Sequence, residues 1–259
     1  MTAPSPYEEL LDLVIRAVWK AGDAVMAVYG TDFAVAAKSD RSPVTLADGA
    51  AEAIILDHLH QVGTPVIAEE LAEREGLPET APARFWLVDP LDGTKEFVKR
   101  NGEFTVNVAL IEAGRPVLGV VGVPAKGLIY AGAGRGTARR LTVEGVVRPI
   151  EARLAPEAGT VAAYSRSHAD LAALEAIFAR YGTVERVIAG SSLKFCMIAE
   201  GAADLYPRLG PTMEWDTAAG QAVLEAAGGR VETLDGAPFR YGKPGFRNTG
   251  FIALGRRGG

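Results

Sequence analysis

The chain has 259 residues, 48% of them hydrophobic and 23% charged, with a formal net charge of −5 at pH 7. That length and apolar content suffice for a large buried core, as one big domain or as two lobes. The acidic balance excludes binding of polymeric nucleic acid or an anionic membrane surface by bulk electrostatics, yet leaves room for a small anionic substrate once cations are recruited.

Residues 7–29 read as an amphipathic helix, because Leu10, Leu11, Val14, Ile15, Val18 and Trp19 recur at helical spacing. The stretch FAVAAKSDRSPVTLADG then runs from a short apolar segment into a polar loop. Helical periodicity returns over residues 47–62, with Ile54, Ile55 and Leu59 as the inner face. TPVIAEE reads as a short buried strand ending in paired glutamates, and ARFWLVD as a second strand ending in aspartate, where proline should stop it. A short helix around TKEFVKR leads to FTVNVALIEAGRPVLGVVGVP, two strands turned at Ala-Gly. LIYAGAGRGTARRL resembles a hairpin; its glycines do not join a strand to a helix, so a plain turn is expected there.

The second half begins near residue 140. GTVAAYSRSH is a strand entering a polar loop, and ADLAALEAIFARYG a helix ending at Gly182. VERVIAGSSLKFCMIAEGAADLYPRL holds a strand, a Gly-Ser-Ser turn, an apolar helix and another strand. EWDTAAGQAVLEAAGG opens a helix near Asp216 and closes it on a glycine pair. Strands and helices mix without a strict βαβα rhythm, which predicts an α+β or layered α/β chain. Two lobes are expected, residues 1–139 and 140–259, meeting near 135–150. No internal repeat is evident.

The single cysteine, Cys196, excludes an intrachain disulfide and reads as a small buried hydrophobe within FCMIA. No apolar run approaches the roughly 20 residues that span a bilayer. MTAPSPYEELLDL lacks the basic-then-apolar order of a secretory signal, so a cytoplasmic protein is expected.

Acidic residues mark strand ends and helix starts: Glu69, Glu70, Asp89, Asp92 and Asp216. Asp89 and Asp92 crowd two like charges into one turn, which is unfavourable unless a cation sits between them. Clustered carboxylates suit a hard cation such as Mg²⁺, and the bend can turn the Leu91 carbonyl toward the same ion. Gly93-Thr94 opens a helix, whose unpaired N–H groups and positive end favour phosphate. Metal-holding acids beside phosphate-holding amides make a coherent phosphoryl-transfer site, in which metals polarise phosphoryl oxygens and acidify a water. Plainer readings stand beside these: Asp-Gly is a common turn dipeptide, and Asp216 suits a helix start.

DPLDGTKEF together with EWDTAAGQAVLEAAGG resembles the inositol monophosphatase-like superfamily of magnesium-dependent, lithium-sensitive phosphatases. More narrowly, the chain looks like the CysQ-type 3′(2′),5′-bisphosphate nucleotidases. KSDRSPVTLAD (38–48), IAEEL (67–71), YSRSH (164–168) and GSSLKFCMIAEGAADLYPRLGPTMEWD (190–216) extend the match in family order over nearly the whole chain. The resemblance implies a layered αβαβα sandwich of the inositol monophosphatase/fructose-1,6-bisphosphatase type, with metals between the lobes. It implies two or three Mg²⁺ per site, one held by Glu69, Asp89 and the Leu91 carbonyl, a second by Asp89, Asp92 and Asp216. Lithium is the expected inhibitor.

By the same resemblance, a metal-activated water attacks in line, oriented by Glu69 and by Thr94, whose hydroxyl pairs with Asp48. Lys38 would close over the site. Gly93, Thr94, Lys95, Asp216, Ser165, His168, Ser191, Lys194 and Arg208 would contact substrate, with Arg208 meeting a second phosphate. Members acting on inositol phosphates commonly carry Thr-Asn after Gly-Thr, whereas this chain has Lys95-Glu96. The implied reaction is hydrolysis of adenosine 3′,5′-bisphosphate to AMP and phosphate, extending to its 5′-phosphosulfate counterpart. An inositol-1-phosphatase, a sugar bisphosphatase, and a non-catalytic nucleotide-binding sensor stay open as alternatives. Either a monomer or a homodimer is compatible with the sequence.

Overall fold

Alternating residues of one strand feed two different cores, and this arrangement sets the layering. In the computed structural model, which describes residues 7–31, 43–156, 159–165 and 171–256, helices α1 (Glu8–Tyr29) and α2 (Pro43–His60) precede strand β1 (Val66–Ala68). Helix α3 (Glu69–Glu75), strand β2 (Arg84–Asp92) and helix α4 (Thr94–Val98) follow. Strands β3 (Thr105–Glu112), β4 (Arg115–Val123), β5 (Leu128–Gly132), β6 (Arg139–Thr142) and β7 (Val147–Pro149) complete a seven-stranded sheet in the order β1 to β7.

The remainder builds a second sheet. It contains β8 (Thr160–Tyr164), helix α5 (Leu171–Arg180), β9 (Thr183–Ile188), helix α6 (Leu193–Ala199), β10 (Leu205–Arg208), β11 (Thr212–Met213) and helix α7 (Trp215–Ala226). Strands β12 (Arg230–Thr233), β13 (Arg247–Asn248) and β14 (Phe251–Leu254) close the chain's order. The second sheet runs β12-β14-β10-β8-β9, and β11 pairs with β13 separately.

On β2, Trp86 and Val88 join the α1/α2 side with Val14, Val18, Ile55 and Leu59. Phe85 and Leu87 join the opposite side with Phe195, Ile198, Ala219 and Val223 of α6 and α7. Strands buried on both faces read as continuous apolar runs, which is how ARFWLVD appears. Each fully buried side chain of this kind contributes roughly 1.5–3 kcal/mol. The second sheet presents Tyr206 and Phe251 to the α6/α7 core. Its other face, with Leu205, Ile252 and Leu254, packs on Leu174 and Phe178 of α5. The order is therefore helix, sheet, helix, sheet, helix: the expected α+β sandwich. Helix α7 lies close on β4, where a Cβ at Gly119 would stand 2.5 Å from the Ala219 carbonyl oxygen.

Several boundaries differ from those expected. Helix α2 begins at Pro43, because proline fits a first helical position whose N–H has no partner. Glu69 and Glu70 do not end a strand; they open α3, where acidic side chains meet the positive helix end. The first sheet runs past residue 139 through β7, since β6 and β7 extend the β5 edge as antiparallel neighbours. Among the described residues no helix is long and apolar enough to cross a membrane. Cys196 is buried and free, as expected.

Candidate active site

Proline does not stop β2 at Asp89. The strand continues through Pro90 and pairs again at Asp92, with Asp89 opposite Asn107 and Asp92 opposite Thr105. Three steps on β2 thus match two on β3, so one extra residue is accommodated as a bulge. In a regular strand, residues three apart point to opposite faces. The bulge brings Asp89 and Asp92 to one face, the face shared with Phe85 and Leu87 and turned toward α6 and α7. Pro90, which cannot donate to a ladder, is tolerated in a bulge. The Leu91 N–H folds back to Asp89 Oδ1 at 3.0 Å, while the Leu91 side chain is buried.

Gly93 follows with φ of 94°, a left-handed conformation that favours glycine. A Cβ there would also strike the Ser191 hydroxyl. Thr94 then opens the five-residue helix α4.

The other acidic residues arrive from three helices. Glu69 and Glu70 begin α3, which is fastened to α2 by the buried Glu52: its carboxylate accepts the Leu71 N–H at 3.1 Å and the Arg74 guanidinium at 3.0 Å. Asp48 lies one turn before Glu52 on α2. Asp216 is the second residue of α7, and its Oδ2 accepts the Met213 N–H at 2.9 Å.

Burial, with repulsion from neighbouring acids, holds Asp48, Glu69, Asp89, Asp92 and Asp216 toward their neutral forms. Desolvation, then the charge of Asp92, pushes Glu69 up to about 7. Desolvation and the Asp92 charge likewise push Asp216 up to about 8. Asp48 is pushed up to about 8 by burial, then by Glu70 and Glu69. Asp89 is raised well above the carboxylate range by burial and by Glu69, Asp92 and Asp216. Asp92 is also raised by burial, opposed by the Lys194 ammonium and the Ser192 N–H. Among the described residues no three His, Cys, Asp or Glu side chains are already drawn together as a metal cage. Their fields nevertheless overlap, as expected for like charges that repel until a cation neutralises them. An all-oxygen set of Glu69, Asp89, Asp92 and Asp216 fits Mg²⁺, which takes hard oxygen ligands.

A cavity of about 250 Å³ opens beside Asp92 and Asp216. Gly93, Thr94, Lys95, Ser191, Lys194 and Arg208 also line it. The Lys194 side chain is buried; its Nζ donates to the Ser191 carbonyl at 2.6 Å and the Ala189 carbonyl at 3.1 Å, and lies 4.8 Å from the Tyr206 ring. Desolvation pulls this ammonium down to about 8, against the field of Asp92. Arg208 makes long hydrogen bonds, both 3.4 Å, to the backbone carbonyls of Gly210 and Pro211.

Most of the expected residues thus converge. Ser165 also lines the cavity. Lys38 and His168 lie outside the described residues. Among the described residues the Thr94 hydroxyl makes no hydrogen bond to Asp48, whose neighbouring charges are instead the glutamates of α3 and Glu52. Trp215 is buried in the core. Sequence reasoning missed Glu52, Thr105, Asn107 and Ser192, all buried polar groups around the acids. The signal for two of them was present: Thr105 and Asn107 are alternate polar residues in the otherwise apolar FTVNVALI.

The family model described as the inositol monophosphatase family matches residues 7–251. A protein named 3′(2′),5′-bisphosphate nucleotidase CysQ from Escherichia coli (strain K12) is 48% identical over 247 residues, covering 93% of this chain and 98% of the relative. The protein of the same name from Shigella flexneri is 46% identical over 248 residues, with the same coverage of each. The crystal structure of CysQ from Bacteroides thetaiotaomicron superposes with a TM-score of 0.85 at 36% identity, covering 98% of this chain and 99% of that one. An inositol monophosphatase from Zymomonas mobilis, 24% identical, shares the fold with a TM-score of 0.79 and coverage of 98% and 95%.

Proposed function

The chain belongs to the inositol monophosphatase family, and we propose that within it the protein works as a Mg²⁺-dependent 3′(2′),5′-bisphosphate nucleotidase. It removes the 3′-phosphate of adenosine 3′,5′-bisphosphate, giving AMP and inorganic phosphate, and acts in the same way on the 5′-phosphosulfate counterpart. One observation carries the choice of substrate: the cavity is lined both by the acids Asp92 and Asp216 and by the cations Lys194 and Arg208. A substrate with two separate anionic groups needs both. An inositol monophosphate needs only the first.

Glu69, Asp89, Asp92, Asp216 and the Leu91 carbonyl would hold two or three Mg²⁺. When bound, these ions supply Lewis acidity to the phosphoryl oxygens and lower the pKa of water. The chain's own residues supply position. Glu69 and Thr94 orient the attacking water, with Asp48 supporting them. Gly93, Thr94 and Lys95 receive the scissile phosphate, where backbone N–H groups can meet its oxygens. Ser191, Lys194 and Arg208 hold the distal phosphate, the guanidinium being suited to paired contacts. Ser165 would meet the nucleoside end, and the family resemblance gives His168 and Lys38 roles in contacting substrate. As water attacks in line, its oxygen bonds to phosphorus while the bond to the 3′-oxygen breaks. That oxygen leaves as the ribose hydroxyl after taking a proton.

Lithium should inhibit by taking a magnesium position, and the reaction is assigned to the cytoplasm. The test is phosphate release by purified protein with Mg²⁺ across adenosine 3′,5′-bisphosphate, its phosphosulfate counterpart, inositol 1-phosphate and fructose 1,6-bisphosphate. A clear preference for the adenine nucleotides is expected. Equal or better turnover of inositol phosphate or of the sugar bisphosphate would overturn the nucleotide assignment, and no turnover of any would point to a binding protein.

A further inference from the structure

Asp92 differs from the other acids in how its two oxygens are used. Oδ2 accepts the Ser192 N–H at 2.8 Å and the Thr105 hydroxyl at 3.3 Å. Among the described residues Oδ1 receives no hydrogen bond, and Asp92 borders the cavity. Two protein donors on one oxygen fix the carboxylate's rotation and leave the other oxygen for a cation.

The donors belong to a buried network. Ser192, Thr105 and Asn107 are each 1% exposed or less. The Ser192 hydroxyl donates to Asn107 Oδ1 at 2.6 Å, and its oxygen stands 2.9 Å from that of Thr105. Asn107 Nδ2 reaches the Thr105 oxygen at 3.4 Å. Since the Ser192 proton goes to Asn107, the Thr105 proton is shared between Ser192 and Asp92. Thr105 and Asn107 sit on β3 directly opposite Asp92 and Asp89. Ser192 comes from the turn between β9 and α6, in the other half of the chain. Buried polar networks are demanding in a core where apolar packing would serve stability equally well.

The same turn carries part of the cavity's lining. Ser191, held at φ of 49°, donates its hydroxyl to the Asp92 carbonyl at 2.9 Å. The Lys194 ammonium grips the Ser191 carbonyl from the other side. A non-glycine residue held in the left-handed region is strained, and its surroundings must hold it there.

We propose that Ser192 is a positioning residue: with Thr105 and Asn107 it aims Asp92 Oδ1 at Mg²⁺ and couples that aim to the turn bearing Ser191 and Lys194. The proposal rests on Asp92 being a magnesium ligand. Partners of metal ligands are worth about 10–100-fold in metal affinity.

The test is Mg²⁺ binding by calorimetry on substrate-free protein, alongside thermal unfolding, for wild type, Ser192→Ala, Thr105→Val and Thr105→Ser. The isosteric Thr105→Val removes a donor to Oδ2 and should weaken Mg²⁺ binding about 10-fold or more. Ser192→Ala keeps the N–H on Oδ2 and loses only the hydroxyl that orders Thr105 and Asn107, so it should weaken binding measurably but less than Thr105→Val. Thr105→Ser should stay within about 3-fold of wild type. At saturating Mg²⁺ the KM for adenosine 3′,5′-bisphosphate should change by no more than about 2-fold, because these residues touch the metal ligand and not the substrate. If both folded variants bind Mg²⁺ as wild type does, the proposal is overturned. Should Ser192→Ala fail to fold, Thr105→Val alone decides. A wild-type protein that does not bind Mg²⁺ would instead overturn the parent assignment of Asp92.

Discussion

Glu52 on α2 accepts the backbone N–H of Leu71 on α3, and this bond seats the helix that carries Glu69. Its second oxygen holds Arg74, whose side chain is about half exposed while that of Glu52 is buried. Glu52→Ala leaves the Leu71 N–H without its partner, an expected loss of about 1–3 kcal/mol. Glu52→Gln keeps an acceptor for that N–H and should lose less. Phosphate release at limiting Mg²⁺ should fall about 10-fold or more for the alanine variant, in line with other partners of metal ligands. Unchanged Mg²⁺ dependence in Glu52→Ala would show that α3 is seated by other contacts.

Asp89 faces the carboxylates of Glu69, Asp92, Asp216 and Asp48. Asp89→Asn removes a carboxyl whose ionisation is opposed by burial and by its acidic neighbours. The metal-free protein should therefore become more stable by thermal unfolding at alkaline pH, where that carboxyl would otherwise be driven to ionise. Mg²⁺-dependent phosphate release should fall on the order of 100-fold or more, at least the loss typical of a metal-ligand partner. The opposite signs of the two effects identify a charge kept for function. Intact Mg²⁺-dependent release would remove Asp89 from the site.

The acids also set a pH dependence. Asp48 and Asp216 stand near 8 and Glu69 near 7, all above the ordinary values of 3.8 and 4.5. The folded state therefore binds more protons than the unfolded state between those limits. Stability is fully present below about pH 4 for these groups and is lost as pH rises through 7 and 8. In chelator, Tm should fall by several degrees, about 5 °C or more, between pH 5 and pH 9. Added Mg²⁺ should raise Tm more at the alkaline end, because it replaces protons that have left. A Tm in chelator that is flat across this range would contradict the repulsion among the acids.

Gly93 meets two constraints at once, a left-handed backbone and the Ser191 hydroxyl. Gly93→Ala should lose about 1–3 kcal/mol in urea denaturation through backbone strain and displacement of Ser191. Pairing it with Ser191→Ala should recover part of the loss by removing the collision, while the backbone strain persists. Full additivity of the two losses would show that the side chain at 191 is not what limits residue 93.

The layers of the fold and the acidic positions were legible because each rests on a local pattern. Continuous apolar runs such as FWLV report strands buried on both faces, and Asp89 and Asp92 stand out against them. The bulge was not legible. Proline suggested an end to the strand, and only pairing with Thr105 and Asn107 reveals that the strand resumes. Nor could sequence show Ser192 reaching Asp92, since contacts between residues 100 apart depend on how the two sheets stack. Glu52 escaped for a similar reason: on an amphipathic helix a glutamate reads as solvent-facing until another helix is found to cover it. Family resemblance supplied the roles of Glu69 and Thr94, which no spacing in the chain would have assigned.

The close fit of α7 on β4 at Gly119 has a consequence in time. A ribosome delivers the acidic bulge and the apolar face of β3 and β4 well before it delivers Asp216 and the helix that covers them, since β4 ends at Val123 and α7 begins at Trp215. Through that interval the growing chain holds an uncovered sheet and an incomplete set of acids, a condition in which partly made proteins are prone to aggregate. Arrival of α7 covers the sheet and delivers the last acidic residue in one stroke. The covering of the first sheet and the completion of the acidic set therefore fall at the same late moment of synthesis, with strands β12, β13 and β14 still to come.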